Sequence, residues 1–289
     1  MAEEIGLGVW WLPQMSPHAL LGARTNCYII QSEEGAAVVD PPTPAPEALT
    51  AIGEVLGNLK LPLAGIVVTH GHIDHMAGVA ALYRAQGQRG WIAGRERLRQ
   101  ELATVAGMPS LDGPPWHPVH EGDRLAGFEV LETPGHKGDH LCLWRADDGL
   151  LIAGDTVSGE GTVVIVPPDG DMADYLATLH RLRALEPRLM APGHGPIVRE
   201  PMALLDYYIA HRLEREASLL DVLSDEPQAL QALVARVYTD VSPAVYGLAE
   251  HSLLAHLIKL EREGRAVEQP QGWVRGTGAG EDQAPAARA

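Results

Sequence analysis

The first two hundred residues carry short apolar or alternating runs, each bounded by Gly, Pro or Asp. GVWWL, TNCYII, AAVVD, AGIVVTH, RGWIAG, FEVLETP, HLCLWR, LLIAGDT and TVVIVP all have the length and period of β-strands. Helical spacing intervenes at residues 46–59, 75–86, 95–105 and 171–185, the first opening on Pro46 and closing near Asn58. Strand pairs mixed with helices predict an α/β fold of sheets covered by helices, not a pure Rossmann alternation. After Pro196 the pattern changes. Residues 201–223, 228–238 and 244–263 read as helices, and GRAVEQPQGWVRG reads as a hairpin. Three helices and a hairpin predict a winged-helix-like unit.

These patterns divide the chain into a first domain over residues 1–198, a second over 199–275, and a tail over 276–289. The tail has no apolar pattern and is expected to be disordered. Residues 104–118, TVAGMPSLDGPPWHP, contain four prolines and two glycines and read as a long loop. Such loops, here with exposed-looking Met108 and Trp116, are often lids or binding loops, and an irregular connection with no role is the alternative.

Hydrophobic residues make up 46% of the 289, enough for a sizeable core, and the formal net charge is −16. That balance argues against duplex DNA as a partner, which needs clustered Lys and Arg to displace counterions. Residues 201–275 themselves hold seven Lys/Arg against eleven Asp/Glu, so the second domain reads as a structural cap before a duplex reader. No stretch is long and apolar enough to span a bilayer, and MAEEIGLGVWWLPQM lacks the basic start of a signal peptide. A cytoplasmic protein without a membrane partner is the expectation. Cys27 and Cys142 lie in strand-like runs outside any CxxC motif and are expected to be reduced core thiols, with a disulfide as the alternative.

The chemistry concentrates in THGHIDHMAG, directly after the strand-like run AGIVV. In extended backbone, residues i and i+2 point the same way, so His70 and His72 can reach one ion. Asp74 and His75 follow where a helix begins and can face a second. His136 follows the run at 128–133, Asp155 the run at 150–153, and His194 the run at 188–191. Four strand ends would thus project donors from one edge, and imidazoles with a carboxylate suit Zn²⁺, with Fe and Mn compatible.

This set, HxHxDH followed by a lone His, an Asp and a final His, resembles the metallo-β-lactamase superfamily over about residues 5–196. The resemblance implies an αββα sandwich with two metals between the sheet edges. It implies that His70, His72 and His136 hold one metal, Asp74, His75 and His194 the other, and that Asp155 bridges them. A His at position 72, where a diiron redox branch often carries Glu, favours two zinc ions and hydrolysis. GDTVSGEGTVVI, APGHGPIV, YYIAHRLEREASLLDVL and LLAHLIKLEREGRA extend the similarity to the β-lactamase-like protein 2 family. Members of that family have been assigned single-stranded endoribonuclease activity, and related proteins act as thioesterases on acyl carriers. Two positions depart from the pattern: VVDPPT keeps Asp40 but lacks the usual Gly, and Lys137 stands where Thr is usual.

The expected activity is hydrolysis of a small or carrier-bound ester, thioester or lactone by a metal-bridging hydroxide, whose parent water would have its pKa lowered to roughly 7. Asp74 is the candidate for orienting it or moving its proton. Thr69 and Asp40 are candidates for fixing the ligand imidazoles, and His140 for supporting them. Trp10, Trp11, Met76 and Trp116 are candidates for the cleft wall, with core packing the equal alternative for Trp10 and Trp11; Lys137 is a candidate for pairing with an anionic substrate or is simply solvated, and His211 and Arg212 are candidates for reaching the cleft. The remaining histidines, among them His256, are expected at the surface or on helices. Single-stranded RNA cleavage is the alternative reading, and a non-catalytic metal-binding regulator a third.

Overall fold

A computed structural model describes residues 2–18, 24–105 and 116–278. Most of the expected loop at 104–118, with Met108, and most of the expected tail therefore lie outside the described residues. Seven strands form one sheet in chain order: β1 (Glu3–Gly6), β2 (Val9–Met15), β3 (Arg24–Ser32), β4 (Gly35–Val39), β5 (Leu63–Val67), β6 (Trp91–Gly94) and β7 (Trp116–Pro118). The strands from β1 to β4 pair antiparallel, and those from β4 to β7 pair parallel. The parallel half needs crossovers. These are α1 (Pro46–Leu59), the short α2 (Ile73–Met76) with α3 (Val79–Ala85), and the segment containing α4 (Leu98–Val105). A second sheet has five strands, β8 (Arg124–Leu125), β9 (Phe128–Glu132), β10 (Leu141–Arg145), β11 (Leu150–Gly154) and β12 (Leu189–Pro192), with α5 (Met172–Ala184) crossing from β11 to its parallel neighbour β12.

Period-two alternation assigns the faces. Tyr28 and Ile30 pack between the sheets with Val130, Leu141, Leu143, Leu150 and Ile152. Their chain neighbours Cys27 and Ile29 turn outward under α1 and α3, while Leu131, Cys142 and Leu151 turn outward under α5. The result is the αββα sandwich. Each fully buried Leu or Ile contributes about 1.5–3 kcal/mol through removal from water. Both cysteines are free and buried, as expected.

The C-terminal helices are α6 (Pro201–Val222), α7 (Leu230–Val237) and α8 (Tyr246–Arg262), followed by the hairpin β13 (Ala266–Gln269) and β14 (Gly272–Arg275). The long α6 joins two cores. Leu205, Tyr208 and Ile209 pack against the second sheet, whereas Leu219 belongs to the apolar cluster of α7, α8 and the hairpin. The winged-helix-like unit is thereby tied to the sandwich through a continuous helix. No helix among the described residues is long and apolar enough to cross a membrane.

Three expected elements differ. The end of the loop expected at 104–118, Trp116–Pro118, is strand β7, paired with β6. The helix expected at 75–86 is broken between α2 and α3, where the Gly78 amide bonds to the Pro41 carbonyl at 2.9 Å. TVVIVP is not a strand. Its apolar residues pair with no sheet. The Val163 carbonyl accepts from Arg212, the Val164 carbonyl from His136 Nδ1, and the Ile165 amide bonds to Ser252 Oγ.

Candidate metal centre

All of the candidate ligands converge at one edge of the two sheets. The turn after β5 carries His70 and His72, α2 carries Asp74 and His75, and the turns after β9, β11 and β12 carry His136, Asp155 and His194. Donor atoms of His70, His72, His136 and Asp155 lie within 4.8 Å of one another, and so do those of Asp74, His75 and His194. Asp155 faces both groups: Oδ2 is 3.7 Å from His136 Nε2 and 3.3 Å from His194 Nε2, while Oδ1 is 3.4 Å from His75 Nε2. Asp74 Oδ2 lies 3.3 Å from His194 Nε2 and accepts a 3.0 Å hydrogen bond from Thr25 Oγ1.

The outer nitrogens of the rings decide what the inner ones can do. Asp40 Oδ2 accepts from Thr69 Oγ1 at 2.7 Å and from His75 Nδ1 at 2.8 Å. Since Thr69 donates its only hydroxyl proton there, it accepts from His70 Nδ1 at 3.0 Å. His136 Nδ1 donates to the Val164 carbonyl and His194 Nδ1 to the Arg24 carbonyl, both at 2.9 Å. Four rings therefore carry a proton on Nδ1 and present Nε2 to the centre. His72 turns Nδ1 inward instead, 2.9 Å from His70 Nε2 and 3.0 Å from His136 Nε2. In neutral rings so arranged, lone pairs converge on one point, an arrangement that a cation stabilises. Asp155 Oδ1 is also buried without a hydrogen-bond partner. The residues present therefore fit two closely spaced N/O-bound ions.

The electrostatics agree. Burial, reinforced by neighbouring histidines, holds His70 well below the ordinary imidazole range and lowers His72 to about 4, His136 acting on His72 most strongly among those neighbours. Around Asp155 the balance reverses. Burial opposes protonation of His75 and His194, but the Asp155 carboxylate outweighs it, aided by Asp40 and Asp74 respectively, and His194 rises to about 10. The second group therefore attracts positive charge, and the first offers neutral nitrogens.

Backbone packing sets these positions. Asn26 donates through Nδ2 to the carbonyls of Pro192 and Gly195, both at 2.8 Å, and the Tyr28 hydroxyl donates to Pro192 at 2.6 Å. These bonds clamp the loop that carries His194. The Asp155 amide donates to His140 Nε2 at 3.0 Å, and His140 Nδ1 bonds to Thr133 Oγ1. His140 thus supports the centre from beneath. Gly154 has φ +46°, and a Cβ there would lie 2.6 Å from His140 Nε2. A Cβ at Gly193 would lie 2.1 Å from Asp155 Oδ1.

The centre opens into a cleft of about 1010 Å³. Trp11 lines it, as does the C-terminal unit through His211, Arg212, Tyr238 and Leu248. Three other expected wall residues do not. Met76 is 1% exposed in the core beneath the first sheet, Trp10 packs on that same core, and Trp116 bonds to Glu96. Lys137 is buried among Glu101, Asp139 and Asp169 at 3.0–3.2 Å, so its charge is satisfied internally rather than presented to substrate. His256 lies on a helix as expected but is fully buried, bonded to Glu216. Thr25, Asn26 and Tyr28 escaped sequence reasoning. The only signal is the polar pair Thr25-Asn26 directly before the apolar run Cys27–Ile30 of β3.

Residues 21–194 match the model of the metallo-beta-lactamase superfamily, and residues 229–273 match the beta-lactamase associated winged helix domain. A "Beta-lactamase-like protein 2 homolog" from Drosophila melanogaster is 29% identical over 268 residues, 86% of each chain. Among solved structures, a beta-lactamase domain protein from Burkholderia ambifaria superposes with a TM-score of 0.81 at 21% identity, covering 95% of this chain and 93% of that one. TTHA1623, solved in a di-iron-bound form, superposes with a TM-score of 0.53 at 28% identity, covering 68% and 98%. With its sandwich, its edge of histidines and aspartates, and its appended winged helix, the chain belongs to the metallo-beta-lactamase superfamily of hydrolases.

Proposed function

We propose that this chain is a dinuclear metallohydrolase that cleaves an ester, thioester or lactone on a small or carrier-bound acyl substrate. The observation that carries the reading is the sharing of Asp155 between two donor groups at the mouth of one cleft. His70, His72 and His136 would hold one ion, Asp74, His75 and His194 the other, with Asp155 common to both. Zn²⁺ suits imidazole and carboxylate donors, and iron, present in the TTHA1623 structure, is the competitor. Bound there, the ions would supply Lewis acidity toward the scissile carbonyl and acidify the attacking water.

The protein's own residues do the rest. Asp74, held by Thr25 Oγ1, is placed to accept the proton of the attacking water and return it to the leaving group. Asp40 and Thr69 keep His70 and His75 in the ligating tautomer. The wall from Trp11 to Leu248 would bound the acyl group. Residues 1–198 would form the hydrolytic unit and 199–275 the far wall. The acid-rich second unit, with seven Lys/Arg against eleven Asp/Glu, favours acyl substrates over RNA.

Metal-loaded protein is to be assayed against acyl thioesters, lactones and a labelled single-stranded RNA, beside His72→Ala. Thioester or lactone turnover that disappears in the variant is the expected result. RNA cleavage that disappears in the variant, without acyl turnover, would replace this reading. Reconstitution with Zn²⁺ or Fe²⁺ identifies the working metal.

A further inference from the structure

The cleft has a second polar focus, on the wall that the C-terminal unit contributes. Eight buried side-chain polar atoms among the described residues have no hydrogen-bond partner, and three of them cluster there: His211 Nδ1, Arg212 Nε and Tyr238 Oη. Native proteins leave few such groups, and a cluster of them calls for a cause. Arg212 is the unusual member. It is 2% exposed and has no carboxylate within salt-bridge distance among the described residues. Its one hydrogen bond goes to the Val163 carbonyl, and its guanidinium lies 5.4 Å from the Tyr175 ring centre. Neither neighbour is an anion. Arg215, one turn along α6, lies 4.8 Å over the Tyr238 ring and is paired to Asp240 at 2.6 Å, so the acid nearby is already taken. Buried charges are normally paired, and this one lines a cleft that a substrate must enter.

We propose that Arg212, His211 and Tyr238 form a subsite for an oxyanion, a carboxylate or phosphate, on the arm of the substrate remote from the scissile bond. The inference rests on the hydrolase reading for the identity of the ligand as a substrate, but the subsite itself binds with or without turnover. Turned toward the cleft, Arg212 Nε and the Tyr238 hydroxyl would supply donors to the anion, and His211 Nδ1 a third when protonated there. The segment between the two foci couples them. The Val163 carbonyl holds Arg212 and the next carbonyl, of Val164, holds His136. One stretch therefore spaces the anion site from the reacting centre, and a substrate spanning the cleft would be read at both ends. The winged-helix unit thereby acquires a role that needs no nucleic acid.

The test uses the full metal-loaded chain and three acetyl thioesters on one cysteamine arm: uncharged, ending in a carboxylate, or ending in a phosphate. Their unreactive thioether analogues are titrated calorimetrically. At least one charged thioether is expected to bind about tenfold or more tightly than the uncharged one, and which arm does so identifies the anion. Tyr238→Phe is expected to lose several-fold of that preference while melting no lower than the parent, because the hydroxyl has no protein partner to lose. Arg212→Lys, which keeps the charge but not the fork, is expected to lose more of it. In turnover, the preference should appear in KM rather than kcat. Equal binding of charged and uncharged arms by the parent, or an undiminished preference in both variants, would overturn the proposal. Charge-selective binding by protein that hydrolyses no thioester, ester or lactone would leave the subsite standing and remove the hydrolase reading instead.

Discussion

Replacing Asp40 by Asn tests how the protein prepares its nitrogens. Asp40 is 2% exposed and has φ +50°, a conformation that Asn adopts readily, so the backbone should be kept. Asn Oδ1 can still accept from the Thr69 amide, now bonded at 2.8 Å. The new amide group would replace Oδ2, which accepts from Thr69 Oγ1 and His75 Nδ1. Both bonds would then reverse. His75 Nδ1 would accept, moving its proton to Nε2, where a metal should sit. Thr69, now an acceptor from Asn, would turn its own proton toward His70 Nδ1 and force the same change there. One carboxylate oxygen thus controls one ring in each donor group, so both ions should weaken together. Loss of such supporting contacts typically costs 10–100-fold in metal affinity, about 1.4–2.7 kcal/mol per ion. Competition with a chromophoric chelator measures the affinities, and long-range ¹H–¹⁵N spectra of metal-free protein report the tautomers. Affinities within twofold of the parent at both sites, with Nδ1 still protonated on His70 and His75, would refute the reasoning.

Thr69→Val breaks the relay to His70 but spares the Asp40–His75 bond. Chelator competition should therefore show one ion weakened by about tenfold and the other unchanged. Gly154→Ala places a Cβ 2.6 Å from His140 Nε2 at φ +46°. The conformation alone costs about 1–2 kcal/mol, and the clash displaces the Asp155 amide. A lowered denaturant midpoint together with reduced metal content is expected. Acid should destabilise the fold with a definite sign. Despite burial, Arg145 holds Asp148, and His256 and Lys259 hold Glu216, below their ordinary values. Burial, aided by Arg212, lowers His211 to about 4. All three bind protons less readily when folded than when unfolded. Their contribution is complete above the unfolded values and is lost as pH falls through the folded ones. Urea midpoints should decline from about pH 6.5, where unfolded His titrates, and fall further below about pH 4.5. A midpoint that holds constant from pH 7 to 3 would contradict this.

Short apolar runs mixed with helical spacing made sheets covered by helices legible in the sequence, the resemblance supplied the αββα sandwich, and the strand-end placement of each candidate ligand made the clustering of donors legible. Other features were not legible, for identifiable reasons. TVVIVP has the composition of a strand, and only three-dimensional context shows its carbonyls committed to Arg212 and His136 instead of a neighbour. The helix break at Gly78 depends on a carbonyl from Pro41, far back in the chain. Asn26 and Tyr28 clamp carbonyls more than 160 residues away, which no local pattern encodes. Lys137 looked available because the acids that bury it come from three separate places. The cleft wall from the C-terminal unit follows from α6 spanning two cores, a property of helix length and packing together.

The central claim is a pair of ions sharing Asp155, and metal stoichiometry tests it most directly. Protein loaded with Zn²⁺, passed through a desalting column and analysed by mass spectrometry should contain two ions per chain. Asp155→Ala should lose both or retain at most one weakly held ion, with turnover abolished. A single tightly bound ion in the parent, or two ions still held by the Asp155→Ala variant, would contradict the account.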